Sequence, residues 1–149
     1  MTLNDLPGKK AHVRMAPVQR VADYAAESGP PAGARDSAVL VFLIPANNGA
    51  ATSSLMDWRV VLIKRNTYEG IHSGQIAFPG GKWEKEDKDI TDTAYREAFE
   101  ELGIKREHTQ TICRLSHIYI PPSNFNIYPV LAVAKDELRF EIYPREVVD

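Results

Sequence analysis

Cysteine is almost missing from this chain of 149 residues: Cys113 stands alone, so no internal disulfide can form and the fold needs no oxidising compartment. Set inside an apolar run, Cys113 is expected to be buried filler. Neither sign of charge prevails. Eighteen Lys and Arg against 20 Asp and Glu leave a formal net charge of -2, which gives no global attraction to nucleic acid or to an anionic membrane. No apolar stretch approaches the roughly 20 residues of a membrane span. The opening "MTLNDLPGKKAHVRMAPVQR" has basic residues but lacks the continuous apolar core of an export signal. Internal repeats and low-complexity tracts are also lacking. These absences point to a cytoplasmic protein with neither nucleic acid nor membrane as partner, and the length is that of one domain with one site. A homodimer is compatible with all of this.

Residues 1–36 are punctuated by Pro7, Pro17, Pro30 and Pro31, with one helical candidate over Val18 to Glu27. They read as an N-terminal arm, with "SGPPAGAR" as the linker into a domain over 37–149. "SAVLVFLI" (37–44) and "RVVLIKR" (59–65) are rich in β-branched residues and read as paired strands. The turn-forming "PANNGAATSSLMD" between them predicts a mobile loop. Pro79 ends "QIAF", and Gly80-Gly81 predicts a sharp turn there. "TQTICRLSHIYI" and "FNIYPVLAVA" read as two more strands, joined by the turn "PPSN". Strands, a helix and strands again predict an α+β domain.

The helix is Ile90 to Leu102, capped by Asp89 and closed by Gly103 in a left-handed conformation. At about 100° per residue, Ala94, Tyr95, Ala98, Phe99 and Leu102 share one arc, expected to dock on a sheet. Glu97, Glu100 and Glu101 share the other, expected to face out. Like charges four apart destabilise a helix by a few tenths of a kcal/mol, and Arg96 is the neighbour able to reach Glu100. Clustered carboxylate oxygens suit Mg²⁺ or Mn²⁺, hard cations that bridge a few carboxylates to substrate phosphates. A solvated acidic face is the alternative. The "FPGG" turn ahead of the helix can bring bare backbone, including the Gly81 carbonyl, up to a ligand.

"REAFEELGI" (96–104) matches the second half of the Nudix box at every fixed position, so the stretch resembles the Nudix hydrolase family. The first half differs. One extra residue separates Gly81 from Arg96, and Lys88 holds the place of the box glutamate, with Asp87 and Asp89 beside it. This insertion, with "FPGGK" ahead of it, is similar to the coenzyme A pyrophosphatase branch. Upstream, Arg65, Gly74 and Phe78 to Gly81 fit that branch's signature, while Asn66 replaces a small residue and Gly70 a second arginine. Downstream, "IPPSNFNIYPVLAVA" resembles its Thr-Pro-Ser, aromatic, Pro-Val run.

The resemblance implies a Nudix-type α/β/α sandwich with a mixed central sheet, continuing past Asp149 into a further strand and helix. It implies divalent-metal-dependent hydrolysis of the pyrophosphate of coenzyme A or a derivative to 3′,5′-ADP and 4′-phosphopantetheine. Gly70 keeps ADP-ribose, a dinucleotide or a nucleoside triphosphate as alternative substrates, and Lys88 keeps a non-catalytic nucleotide-binding module as another. Glu97, Glu101 and the Gly81 carbonyl are the expected metal ligands. Glu100 is a ligand or the base that activates water, and Arg96 orients a glutamate. Lys64, Arg65, Gly80, Lys82 and Ser123 are the expected substrate contacts. Asp87 and Asp89 are candidates to replace the box glutamate, though solvation suits Asp87 and capping Asp89 by default. His72 and His117 are candidates to contact substrate, but neither has metal-ligand spacing and a structural role is the default for both. Tyr119, Phe125 and Tyr128 are placed to stack on a base or to pack the sheet. Glu141 and Glu146 are weak candidates for a late carboxylate.

Overall fold

Along the first long strand, Ala38, Leu40 and Phe42 are wholly buried while Val39 and Val41 between them are only partly so. That is the two-residue alternation of a sheet with one face against the core. In the computed structural model, which describes residues 6, 8–22, 29–46, 57–66, 74–135, 138–144 and 147–148, this strand is β1, Arg35–Pro45. It pairs in parallel with β8, Phe125–Ala134, over nine residue pairs from Arg35↔Phe125 to Leu43↔Val133. Both strands span the ranges read from the sequence to within two residues.

The other edge of β1 is shared. β2, Trp58–Val60, takes its end from Leu43 to Pro45, and β5, Gly80–Lys82, takes Ser37 to Val39, both antiparallel. Chain between those two must leave the sheet. This splits the expected single strand "RVVLIKR": after Val61 donates to the Phe42 carbonyl, the chain turns out and forms β3, Ile63–Lys64, which pairs with β4, Ile76–Ala77, in a separate two-stranded sheet. The Gly80-Gly81 turn is likewise corrected. Those glycines form a strand, entered where Leu40 donates to the Pro79 carbonyl.

On the far side, β6, Thr109–Arg114, and β7, Ile118–Ile120, both pair with β8. They divide what reads as one strand, and Pro129 supplies the reason. It offers the ladder no N–H, so only the Leu115 amide bonds there, to the Pro129 carbonyl, before the chain swings out and returns. The sheet therefore runs β2-β1-β8-β6, with β5 beside β1 and β7 beside β8, mixed in direction.

The long helix is Ile90–Leu102 as read. Asp89 Oδ1 accepts from the amides of Thr91 and Asp92 at 2.7 and 3.0 Å, and Gly103 (φ 70°) ends the helix as its amide donates to the Phe99 carbonyl. A shorter helix, Gly8–Met15, precedes it, so these are α1 and α2. The sequence reading missed α1. Its own candidate at Val18–Glu27 begins with a 3-10 turn over Val18–Arg20, and 23–28 lie outside the described residues, as do 47–56 of the expected mobile loop.

Ala94, Tyr95, Ala98 and Leu102 of α2 pack with Ala38, Leu40, Phe42, Val130 and Ala132 to form the core. Ile63 and Val147 extend it. The last described segment ties down the C-terminal end of α2: the amides of Glu141 and Tyr143 donate to the carbonyls of Leu102 and Glu101. Cys113 is half-buried rather than fully buried, because it sits on β6 at the side of the sheet. No helix among the described residues is long and apolar enough to cross a membrane.

Candidate active site

Glu101 overturns the outward-facing acidic arc. It is buried at 3% exposure, and its carboxylate accepts a hydrogen bond from the Gly80 amide at 2.9 Å. Helix geometry explains why. Seven residues after Ala94, Glu101 returns to within about 20° of the same azimuth, so a helix that docks through Ala94 and Ala98 carries Glu101 against the sheet. Phe99 moves the other way and is 53% exposed. Glu97 is half-buried between the two settings, and Glu100 lies at the surface.

Two glycines admit these carboxylates. A β-carbon at Gly81 would collide with the Glu97 carboxylate, and one at Gly80 (φ 151°) with the Ala38 carbonyl, so only bare backbone fits between α2 and β1 here. The Gly81 carbonyl accepts from the Ser37 hydroxyl at 2.6 Å, and the Gly80 carbonyl from Arg65 Nη2 at 2.9 Å. Thus Arg65 does reach the glycine strand, where it anchors main chain. Lys64 is exposed on β3, and Lys82 ends β5 with its carbonyl accepting from Arg96 Nη2 at 2.9 Å. Ser123 is in the 3-10 turn Pro121–Ser123 ahead of β8, with its hydroxyl on the Ile120 carbonyl and its own carbonyl held by Arg35.

Arg96 is the hub. It grips Asp87 through both ends, Nε to Oδ1 at 2.9 Å and Nη2 to Oδ2 at 3.2 Å, while Nη1 donates to Glu97 at 2.9 Å and to Glu100 at 3.2 Å. Its bidentate partner is therefore Asp87, and the two glutamates receive single bonds. Asp87 is buried, contrary to the solvated default, and also accepts from the Thr93 hydroxyl and the Glu84 amide. Burial alone would push its carboxyl up, but the Arg96, Glu84 and Thr93 hydrogen bonds together hold it below the usual carboxylate range. Those same Asp87 contacts raise Arg96 further above its ordinary value.

The sequence contained a clue to Asp87. The extra residue before the helix lets the loop double back, so the carboxylate one place before Lys88 reaches Arg96. Asp89 does cap, as read. The Ser37 contact had no sequence signal, because a strand serine gives no hint of which carbonyl lies beside it. His117 meets the ring of Tyr128 at 5.3 Å, Arg35 stacks over Phe125, and Tyr119 donates to Asn124. Glu141 lies beside Gly103 at the end of α2. His72, Gly70 and Glu146 lie outside the described residues.

Glu97, Glu101 and the Gly81 carbonyl thus gather around one glycine pair, a set of hard oxygens of the kind Mg²⁺ or Mn²⁺ takes. The missing β-carbon of Gly81 leaves the place that the Glu97 carboxylate fills. The donor chemistry fits such an ion. Among the described residues, though, no three acidic, imidazole or thiol groups stand together as a finished cage. Protein donors hold the carboxylates instead, and water and substrate oxygens would have to complete any shell.

Comparison with known proteins bears on this site. A family model described as NUDIX domain matches residues 34–147. "Nudix hydrolase 15, mitochondrial" of Arabidopsis thaliana is 33% identical over 108 residues, 72% of this chain and 35% of that protein. Human "Mitochondrial coenzyme A diphosphatase NUDT8" is 38% identical over 72 residues, 47% of this chain and 29% of that protein. The chain spans about a third of the length of these curated relatives. A crystal structure of a C. elegans Ap4A hydrolase binary complex superposes with a TM-score of 0.59 at 17% identity, covering 76% of this chain and 75% of that one, a likeness of fold.

Proposed function

This chain belongs to the Nudix family, and we propose that it hydrolyses the diphosphate bridge of a nucleotide derivative, with coenzyme A or a derivative as substrate. The observation that carries the reading is the convergence of Glu97 and Glu101 on the Gly80–Gly81 strand. Nudix hydrolases generally use divalent cations, and we assign Mg²⁺ or Mn²⁺ here, held by Glu97, Glu101 and the Gly81 carbonyl. Such an ion, when bound, neutralises charge on non-bridging phosphate oxygens and makes water a better nucleophile.

The chain's own residues do the rest. Water attacks one phosphorus, the bridging P–O bond breaks, and the departing phosphate carries away the electron pair. Glu100, exposed and tethered by Arg96, is placed to take the water's proton or to act as a third oxygen ligand. Arg96 fixes Glu97 and Glu100 relative to the Trp83–Lys88 loop through Asp87, which keeps the carboxylates oriented before substrate arrives. Arg65 holds β5 in register through the Gly80 carbonyl, and we assign Lys64, Lys82 and Ser123 as phosphate or substrate contacts.

Incubation of the protein with coenzyme A and, separately, ADP-ribose, in Mg²⁺ or Mn²⁺, tests this when products are identified by mass. Coenzyme A should yield 3′,5′-ADP and 4′-phosphopantetheine faster than ADP-ribose yields AMP. A faster reaction with ADP-ribose would move the substrate to the alternative class. Tight nucleotide binding without any release of product would mean a binding module. Lys88 at the box position and the protein-held carboxylates are the features that favour that second reading.

A further inference from the structure

Two rows of the sheet beyond Gly81, a second set of polar groups faces the same way. Side chains two apart on a strand share a face, so Asp36 lies on the Ala38 side of β1, roughly 7 Å along from the Gly81↔Ala38↔Tyr128 row that the Glu97 carboxylate lies against. Asp36 pairs with Asn126. The Asn126 Nδ2 donates to Asp36 Oδ1 at 3.3 Å and to Tyr128 Oη at 2.7 Å.

Asn126 is 3% exposed, yet its Oδ1 has no hydrogen-bond partner among the described residues. A buried acceptor left in that state is destabilising. Turning the amide over would aim that oxygen at the Asp36 carboxylate, so Asp36 dictates its orientation. Such a cost persists where the surroundings over-determine it, and functional sites are where that occurs. Tyr128 is held above its ordinary pKa by burial first and then by the charge of Asp36, so its hydroxyl keeps its proton. Asp36 itself is exposed, and the ring of His117 lies against Tyr128.

We propose that Asp36 is a specificity-determining residue that accepts a hydrogen bond from an N–H or O–H donor of the substrate's nucleoside, and that Asn126 and Tyr128 position its carboxylate. The source of that donor is the amino group of an adenine or a hydroxyl of the ribose. The proposal rests on the nucleotide reading above and names which part of the substrate this row reads. It requires a substrate whose nucleoside lies along the sheet from its diphosphate, two rows from the one Glu97 sits against.

Titration calorimetry on the full chain with Mg²⁺ tests it, using ADP, inosine 5′-diphosphate, 2′-deoxy-ADP and inorganic pyrophosphate. Wild type should bind ADP roughly 10- to 100-fold more tightly than the inosine nucleotide if the base is read, or than the deoxynucleotide if the sugar is read. Asp36→Asn should reduce that preference to within about twofold while pyrophosphate affinity stays unchanged. Asn126→Leu and Tyr128→Phe should narrow it in the same direction. The exposed position of Asp36 keeps the test independent of any folding defect in Asn126→Leu.

Equal binding of the three nucleotides by wild type would overturn the proposal, as would a preference that survives Asp36→Asn. A parallel loss for pyrophosphate would also overturn it, since that marks a structural role. Discrimination without hydrolysis would sink only the hydrolase reading, and hydrolysis without discrimination would sink only this one.

Discussion

Replacing Asp87 by alanine separates the arginine hub from its anchor. The substitution strands the two-point grip of Arg96, the Thr93 hydroxyl and the Glu84 amide, all at a carboxylate whose side chain is 4% exposed. Breaking a fully buried pair costs about 3–5 kcal/mol. Arg96 retains 23% exposure and keeps Glu97, Glu100 and the Lys82 carbonyl, so water and those partners recover part of the loss. About 2–3 kcal/mol is the expected destabilisation, or roughly 5–10 °C in Tm for a domain of this size. Urea unfolding of wild type and Asp87→Ala measures it.

The pH dependence follows from sign. A carboxyl depressed in the folded state contributes stability above its unfolded pKa of about 3.9, and loses it as pH falls through the lower folded value. The gap between the two proteins should therefore hold from pH 7 to about 5 and close below about 4. A gap under 0.5 kcal/mol, or one that widens in acid, would refute the assignment of Asp87 as the anchor of Arg96.

Gly81→Ala should fold with a modest loss of stability but displace the Glu97 carboxylate, lowering kcat by 100-fold or more, which steady-state hydrolysis would read. Phe99→Ser at the exposed side of α2 should change stability by less than about 0.5 kcal/mol, whereas Leu102→Ala, at 4% exposure, should cost about 2–5 kcal/mol in the same urea assay. Asp89→Ala removes the cap that serves two amides and should cost about 1 kcal/mol without changing the metal requirement.

Local signals in the sequence carried much of this fold. The caps of α2 were legible because Asp89 and Gly103 act within a few residues of themselves, and β1 and β8 because a short run rich in β-branched and apolar residues marks a strand whatever it pairs with. What sequence could not supply was competition for an edge: "RVVLIKR" reads as one strand until β5 claims half of β1. Pro129 breaks β6 from β7 at a distance of 14 residues or so, beyond the reach of a pattern read along one strand. At the site, the residue types were legible and their setting was not. Glu101 looks exposed if one counts charge, and buried once the helix is turned by 20° or so onto Ala94. Asp87 looks solvated until the insertion folds it under Arg96.

Glu97 and Glu101, gathered on the glycine pair, are the residues we propose to make this chain a metal-dependent diphosphate hydrolase. Single-turnover hydrolysis of coenzyme A by wild type, Glu97→Gln and Glu101→Gln, with Mg²⁺ titrated into each, addresses it directly. Both variants should show at least 100-fold slower chemistry, with a weakened Mg²⁺ midpoint and an unchanged fold. Equal rates, or full activity in chelator, would contradict it.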